Sequence, residues 1–234
     1  AANLIKRSFP DMKINASTQL TANTAEDVLF LQKNGFDKVI LSRELTLEEI
    51  KNIRKSTDVD IECFVHGALC VSFSGQCIMS SILGGRSGNR GCCAQPCRLP
   101  YELYENRDKV CDGYLMSPKD VETLEILPQL IEAGINSFKI EGRMKNPEYV
   151  AGVTSIYRKY IDLYFDDPEN YKVDRNDIKI LTQLFNRGVF TNGYFTSPSG
   201  SEMMSIERPK AWGLKTGIVD SYDEKHGRAN IRTR

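Results

Sequence analysis

The chain has 234 residues, 41% hydrophobic and 26% charged, enough for one large domain or for one domain with part of another. Lys plus Arg balances Asp plus Glu at 31 each, so no global basic field advertises nucleic acid, and any RNA contact must come from a local patch. No apolar run reaches transmembrane length and no signal-peptide pattern is present; no membrane partner is expected, and the cysteine usage described below is the ground for expecting a cytoplasmic protein.

The chain opens AANLIKR without a methionine and closes on ANIRTR, and both ends read as cut from a longer protein. Short apolar runs then alternate with helix-length amphipathic stretches. Strands are expected at 13–17, 38–42, 60–65, 114–117 and 137–141. Helices are expected at 24–34, 46–56 and 121–133, with Asn34-Gly35 and Ala133-Gly134 as C-terminal stops and Thr46 with Glu49 as a capping box. A longer helix follows at 147–165, with proline in its first turn, and a short one at 176–185. From Gly213 the pattern is that of a β-hairpin turning at 224–227.

Strand–helix alternation implies a mainly parallel sheet, and the glycine fingerprint of a dinucleotide fold is absent. Polar residues recur at period two within three strands: Asn15, Ser17 and Gln19; Glu62, Phe64 and His66; Lys139, Glu141 and Arg143. Each set is expected on one face, and polar sets reaching the C-terminal ends of parallel strands suit a barrel mouth. The fold class expected is α/β, a partial (β/α)8 TIM-type barrel followed by the start of a small β-domain. Residues 1–168 form the C-terminal portion of the barrel with an inserted cysteine loop (70–97), 169–210 a helical and loop connector, and 211–234 a truncated β-domain. About five of eight strands leave open sheet edges, which a homo-oligomer or the rest of a longer chain would cover.

Seven cysteines are an odd count for a secreted disulfide framework, and a reducing compartment suits the α/β pattern better. Cys70, Cys77, Cys93 and Cys97 lie on the Gly-, Ser- and Asn-rich run FVHGALCVSFSGQCIMSSILGGRSGNRGCCAQPCR, spaced C-x6-C-x15-C-x3-C. The paired CxxC of a zinc ribbon is missing, and glycines let the loop wrap around an inorganic centre. Spacing alone leaves three readings open: an iron–sulfur cluster, zinc, or packed thiols. Cys63 and Cys111 read as packing residues.

The runs ECFVHGALCVSFSGQCIMSS and GGRSGNRGCCAQPCR resemble the signature of the collagenase-like peptidase family U-32, and KIEGRMKNPEYV and NRGVFTNGYF are similar to its downstream blocks. The resemblance implies a barrel strand leading into a loop whose cysteines hold a [4Fe–4S] cluster. Matched position by position, its ligands fall on Cys70, Cys77, Cys93 and Cys97, with Cys92 in a variable slot. It also implies one of three activities: RNA base hydroxylation (tRNA or rRNA) with prephenate as co-substrate, collagenase-like proteolysis of a peptide substrate, or an iron–sulfur module of a quinone-hydroxylating complex.

The residues make a poor case for proteolysis. There are two histidines, no HExxH and no G-x-S-x-G, and a Cys70–His66 dyad would compete with metal ligation by Cys70. An RNA hydroxylase with a dianionic carboxylate donor needs cations, and Arg43, Lys139 and Arg143 stand at strand ends as substrate-binding candidates. Glu62, His66 and Glu141 are the candidates for proton transfer or orientation. The plainer alternatives are internal salt bridges among Glu62, Glu141, Lys139 and Arg143, and a His66 that anchors the loop by hydrogen bonds. Arg86, Arg90 and Arg98 make a local basic patch, and Tyr101 and Tyr104 stack a base or pack a strand.

Overall fold

Parallel pairing of four short strands organises the fold. In this computed structural model, which describes residues 2–196, 200–214 and 216–233, helix α1 (Ala2–Ser8) leads into β1 (Asn15–Ala16). Helix α2 (Ala25–Lys33), β2 (Lys38–Ile40), α3 (Leu47–Ser56) and β3 (Asp60–Ala68) follow. The cysteine loop carries α4 (Met79–Gly84), then β4 (Tyr101–Glu105) and β5 (Asp108–Gly113). Beyond it lie β6 (Asp120–Glu122), α5 (Leu127–Glu132), β7 (Ser137–Ile140), α6 (Pro147–Asp166), α7 (Arg175–Leu184) and β8 (Phe190–Thr191). The described chain ends in β9 (Gly217–Asp223) and β10 (Arg228–Thr233).

Strands β1, β2, β3 and β7 run parallel in consecutive contact, the arrangement of part of a (β/α)8 barrel. Helix starts are specified locally: Thr24 and Thr46 form capping boxes with Asp27 and Glu49, and Asn146 caps α6 through the Tyr149 amide. Val39, Ile61, Cys63 and Val65 bury one sheet face against Val28, Ile50, Ile53, Leu127, Leu130 and Val153 of the helices. Each large apolar side chain so buried contributes about 1.5–3 kcal/mol. Helix α7 and strand β8 join the same core and sheet, through Leu181 and through the pairing of β8 with β6. Strands β9 and β10 form a separate antiparallel hairpin, as expected from the sequence.

Several expectations need correction. Residues 114–117 are not a strand. The strand lies at Asp120–Glu122, where β6 pairs antiparallel with the far end of β3, and the expected helix at 121–133 shrinks to a 3-10 turn and α5. An unforeseen hairpin, β4–β5, is inserted between the cysteine loop and β6, and it leaves Cys111 exposed rather than packed. The largest correction concerns β3. The register against β7 slips between Phe64 and His66, so Val65 is a bulge residue. Glu62 and Phe64 lie opposite Ser137 and Lys139, but His66 lies opposite Ile140, on the other face. Period two therefore holds for Glu62 and Phe64 and fails for His66.

Candidate functional site

The cysteine loop leaves the C-terminal end of β3 and is stapled to the other strand ends. Ser74, fully buried, receives the Arg43 amide at 3.1 Å, donates to Glu44 at 2.9 Å, and accepts from Thr21 Oγ1 through its carbonyl at 2.8 Å. Gly75 next to it has φ +77°, and a Cβ there would meet the Gln19 carbonyl oxygen at 2.5 Å, so only glycine fits. Further along, Ala94 donates to Ser80 Oγ at 2.9 Å and the Tyr101 hydroxyl donates to Pro96 O at 2.9 Å, which gives Tyr101 a loop-anchoring role.

Arg98 is a further buried anchor, 9% exposed. Its guanidinium donates to Leu69 O at 3.0 Å, to Ser117 Oγ at 2.7 Å and to Pro118 O. It is thus separate from the exposed Arg86 and Arg90, and the basic patch read from sequence loses one member. Burial, then Arg187, pulls its guanidinium down to about 10, so it stays charged.

All seven cysteines are free. Burial pushes the Cys97 thiol up, Arg98 lowers it, and the thiols of Cys70, Cys93 and Cys77 raise it again. Cys70, Cys77 and Cys93 therefore each lie within electrostatic reach of Cys97, and Cys92 is not among the groups acting on it. Among the described residues no three of His, Cys, Asp and Glu converge as ligands of one ion.

On the open face of β3, Glu62 sits between two lysines, with Lys38 Nζ at 3.3 Å and Lys139 Nζ at 3.4 Å, and accepts from Ser137 Oγ at 2.9 Å. Burial opposes its ionisation, but Ser137 and the lysines outweigh burial and hold the carboxyl below its usual range. Lys139 and Arg43 also lie over the Phe64 ring, at 5.1 and 5.5 Å from its centroid. Arg43, Phe64, His66, Leu69, Val121 and Phe195 enclose a cavity of about 10 Å³, room for one water.

Glu141 and Arg143 follow β7. The Glu141 carboxylate accepts the Arg143 amide at 2.8 Å, and Arg143 Nη1 reaches the Gly91 carbonyl on the cysteine loop at 3.2 Å. His66 is 1% exposed, packed among Tyr149, Tyr157 and Phe190, and burial pulls it down to about 3, so it is neutral. The Tyr157 hydroxyl gives its one proton to Val65 O at 2.8 Å, so its contact with His66 Nδ1 at 3.4 Å makes Nδ1 the donor. Nε2 is then an acceptor, and it has no partner among the described residues.

Sequence reasoning missed a second group of charges. Asp120 on β6 pairs with Arg187 at 2.6 Å, both nine-tenths buried or more. Lys145, between β7 and α6, lies over the Phe185 ring, and burial lowers its ammonium to about 8. Glu122, buried beside Tyr157, is pushed up to about 7 by burial. The available signal was position: Lys145 and Arg187 sit inside the two downstream blocks, KIEGRMKNPEYV and NRGVFTNGYF, yet the sequence assigned them no role.

A parallel half-barrel with four thiols looped from one strand end is matched, over residues 1–205, by the description Peptidase family U32. The chain belongs to that family. It is 38% identical over 233 residues to tRNA hydroxylation protein P1 of Bacillus subtilis, covering 94% of this chain and 54% of that one. It is 36% identical over 231 residues to the 23S rRNA 5-hydroxycytidine C2501 synthase of Escherichia coli, covering 95% and 35%. It is also 36% identical over 201 residues to a collagenase of Porphyromonas gingivalis, covering 79% and 48%. The chain thus spans from about a third to just over half of the length of these U32 relatives. No solved structure matches it. Among the described residues no helix is long and apolar enough to cross a membrane.

Proposed function

We propose that this U32 chain belongs to an RNA base hydroxylase, acting on tRNA or rRNA in the cytoplasm, with a [4Fe–4S] cluster on its cysteine loop and prephenate as co-substrate. The observation that supports the reading is that Cys70, Cys77 and Cys93 all act electrostatically on Cys97, on the loop that leaves β3. The donor set fits such a group: four soft thiols without disulfides, beside a buried arginine that offsets their negative charge. A cluster held by Cys70, Cys77, Cys93 and Cys97 would supply one-electron transfer.

The chain's own residues do the rest. Arg98 and Ser74 fix the loop ends, and Arg143 joins the β7 loop to the same segment. Glu62, kept ionised by Lys38 and Lys139, orients rather than donates a proton. Free thiols throughout suit a reducing compartment.

The names of two relatives favour RNA, and a third favours proteolysis. The geometry weighs against a Cys70–His66 protease dyad, because His66 bonds Tyr157 and its Nε2 meets no thiol. The test is nucleoside mass spectrometry of RNA from a strain lacking the full-length gene. A hydroxylated nucleoside should vanish, return with the wild-type gene, and stay absent with Cys97→Ala. An unchanged nucleoside profile would overturn the reading.

A further inference from the structure

Charge is balanced very differently on the two sides of β3. On the open face one carboxylate, Glu62, serves two lysines, Lys38 and Lys139, and those cations are largely spent on it. On the α6 side Asp120 faces Arg187, Arg98 and Lys145, and Glu141 is the one further carboxylate that acts on Lys145. Asp120 is committed to Arg187 at 2.6 Å. Arg98 has only neutral acceptors, and Lys145 Nζ has no hydrogen-bond acceptor among the described residues.

The two outer cations are close in space. Arg187 stacks 4.8 Å from the Phe185 centroid and Lys145 lies over the same ring, while Lys145 also faces the Tyr149 ring at 5.2 Å. Two cations sharing one phenyl ring repel each other, and the ring quadrupole offsets only part of that. Beside them stand two buried atoms without donors, Asp120 Oδ2 and His66 Nε2, in side chains no more than 1% exposed. Buried acceptors in folded proteins are nearly always satisfied, so each of these atoms calls for a donor from a water or a ligand.

The backbone around these cations is strained as well. Met144, before Lys145, has φ +61° and is 95% exposed; Val189, two residues after Arg187, has φ +51° and is 70% exposed. A β-branched residue in the left-handed region is a genuine outlier, and such strain gathers at ligand sites.

We propose that Lys145 and Arg187 form a carboxylate-binding subsite whose ligand is a small hydroxycarboxylate, its carboxylate held by Lys145 and its hydroxyl donated to Asp120 Oδ2. The ligand adds a third anion where three cations meet two carboxylates, and its hydroxyl supplies a donor to Asp120 Oδ2. A small carboxylate is favoured over a nucleic-acid phosphate because Asp120 and Arg187 are nine-tenths buried or more, and only a small molecule entering past the half-buried Lys145 could approach them. The inference rests on the reading that this chain uses an anionic co-substrate, and it moves that co-substrate from Arg43, Lys139 and Arg143 to Lys145 and Arg187.

The test is calorimetric titration of the full-length protein with prephenate, succinate and inorganic phosphate, without RNA. Prephenate should bind more tightly than succinate, which lacks the hydroxyl, and than phosphate. Lys145→Gln should weaken prephenate by about tenfold or more, Lys145→Arg should restore most of it, and the exposed Lys51→Gln should match wild type. No binding to wild type, equal binding by Lys145→Gln, or phosphate binding as tightly as prephenate would overturn the subsite. Loss of RNA hydroxylation with prephenate binding intact would fall on the functional reading alone.

Discussion

Arg98 Nη2 donates to the Leu69 carbonyl at 3.0 Å, so the residue after Cys97 is clamped to the residue before Cys70. The first and last thiols of a long loop are thereby brought to one strand end by a single buried side chain. Replacing Arg98 by Ala leaves the Leu69 and Pro118 carbonyls and Ser117 without their donor. Arg98→Ala should destabilise the fold by about 3 kcal/mol and lower iron retention, with Arg98→Lys intermediate. Urea denaturation with iron analysis of the same samples reads both. An Arg98→Ala protein as stable as wild type would show that the clamp is incidental.

The Asp120–Arg187 pair ties β6 to the segment before β8 from inside the fold. Asp120→Ala leaves a buried guanidinium without its carboxylate and should cost about 3–5 kcal/mol. Asp120→Ala combined with Arg187→Met should recover part of that loss, because the stranded charge is gone. A denaturant series on the single and double variants decides it, and additive losses would contradict the coupling.

Glu122 makes stability depend on pH in an uncommon direction. Its carboxyl is pushed from the ordinary glutamate value up to about 7 in the fold by burial. The unfolded chain therefore loses this proton before the folded one does, and folding stability falls as pH rises from about 4.5 to 7. The contribution lost is roughly 3 kcal/mol. Urea midpoints for wild type and Glu122→Gln between pH 5 and pH 8 should show a flatter profile for the variant; parallel profiles would refute the assignment.

His66 should behave as a structural, neutral imidazole with its proton on Nδ1. Burial holds it near 3, far below the usual histidine range. Long-range nitrogen NMR should find the Nδ1–H tautomer and no titration between pH 5 and pH 8. An imidazole that titrates near 6.5 would place His66 in contact with solvent or an acid, against its packing among Tyr149, Tyr157 and Phe190.

Local signals in the sequence carried the early strands, the capped helices and the terminal hairpin, because caps and turns are set by neighbours in the chain. Thr46 with Glu49 and Asn146 before Pro147 needed no tertiary information. The bulge at Val65 was invisible, since the period-two pattern continues through it. Its cause is a buried network in which Thr123 and Tyr157 both take the Val65 carbonyl out of the ladder. The four cysteines share one loop, so they could be put forward as a set from the sequence alone. Asp120, Lys145 and Arg187 were not, because they come from three separate segments and meet only when β6, β7 and α7 pack.

Iron and acid-labile sulfide analysis of the anaerobically purified full-length protein tests the central claim most directly, with each loop cysteine changed to Ala in turn. The account predicts about four irons and four sulfides per chain, lost in Cys70→Ala, Cys77→Ala, Cys93→Ala and Cys97→Ala and kept in Cys92→Ala. Full iron in Cys93→Ala with loss in Cys92→Ala, or stoichiometric zinc in place of iron, would contradict it.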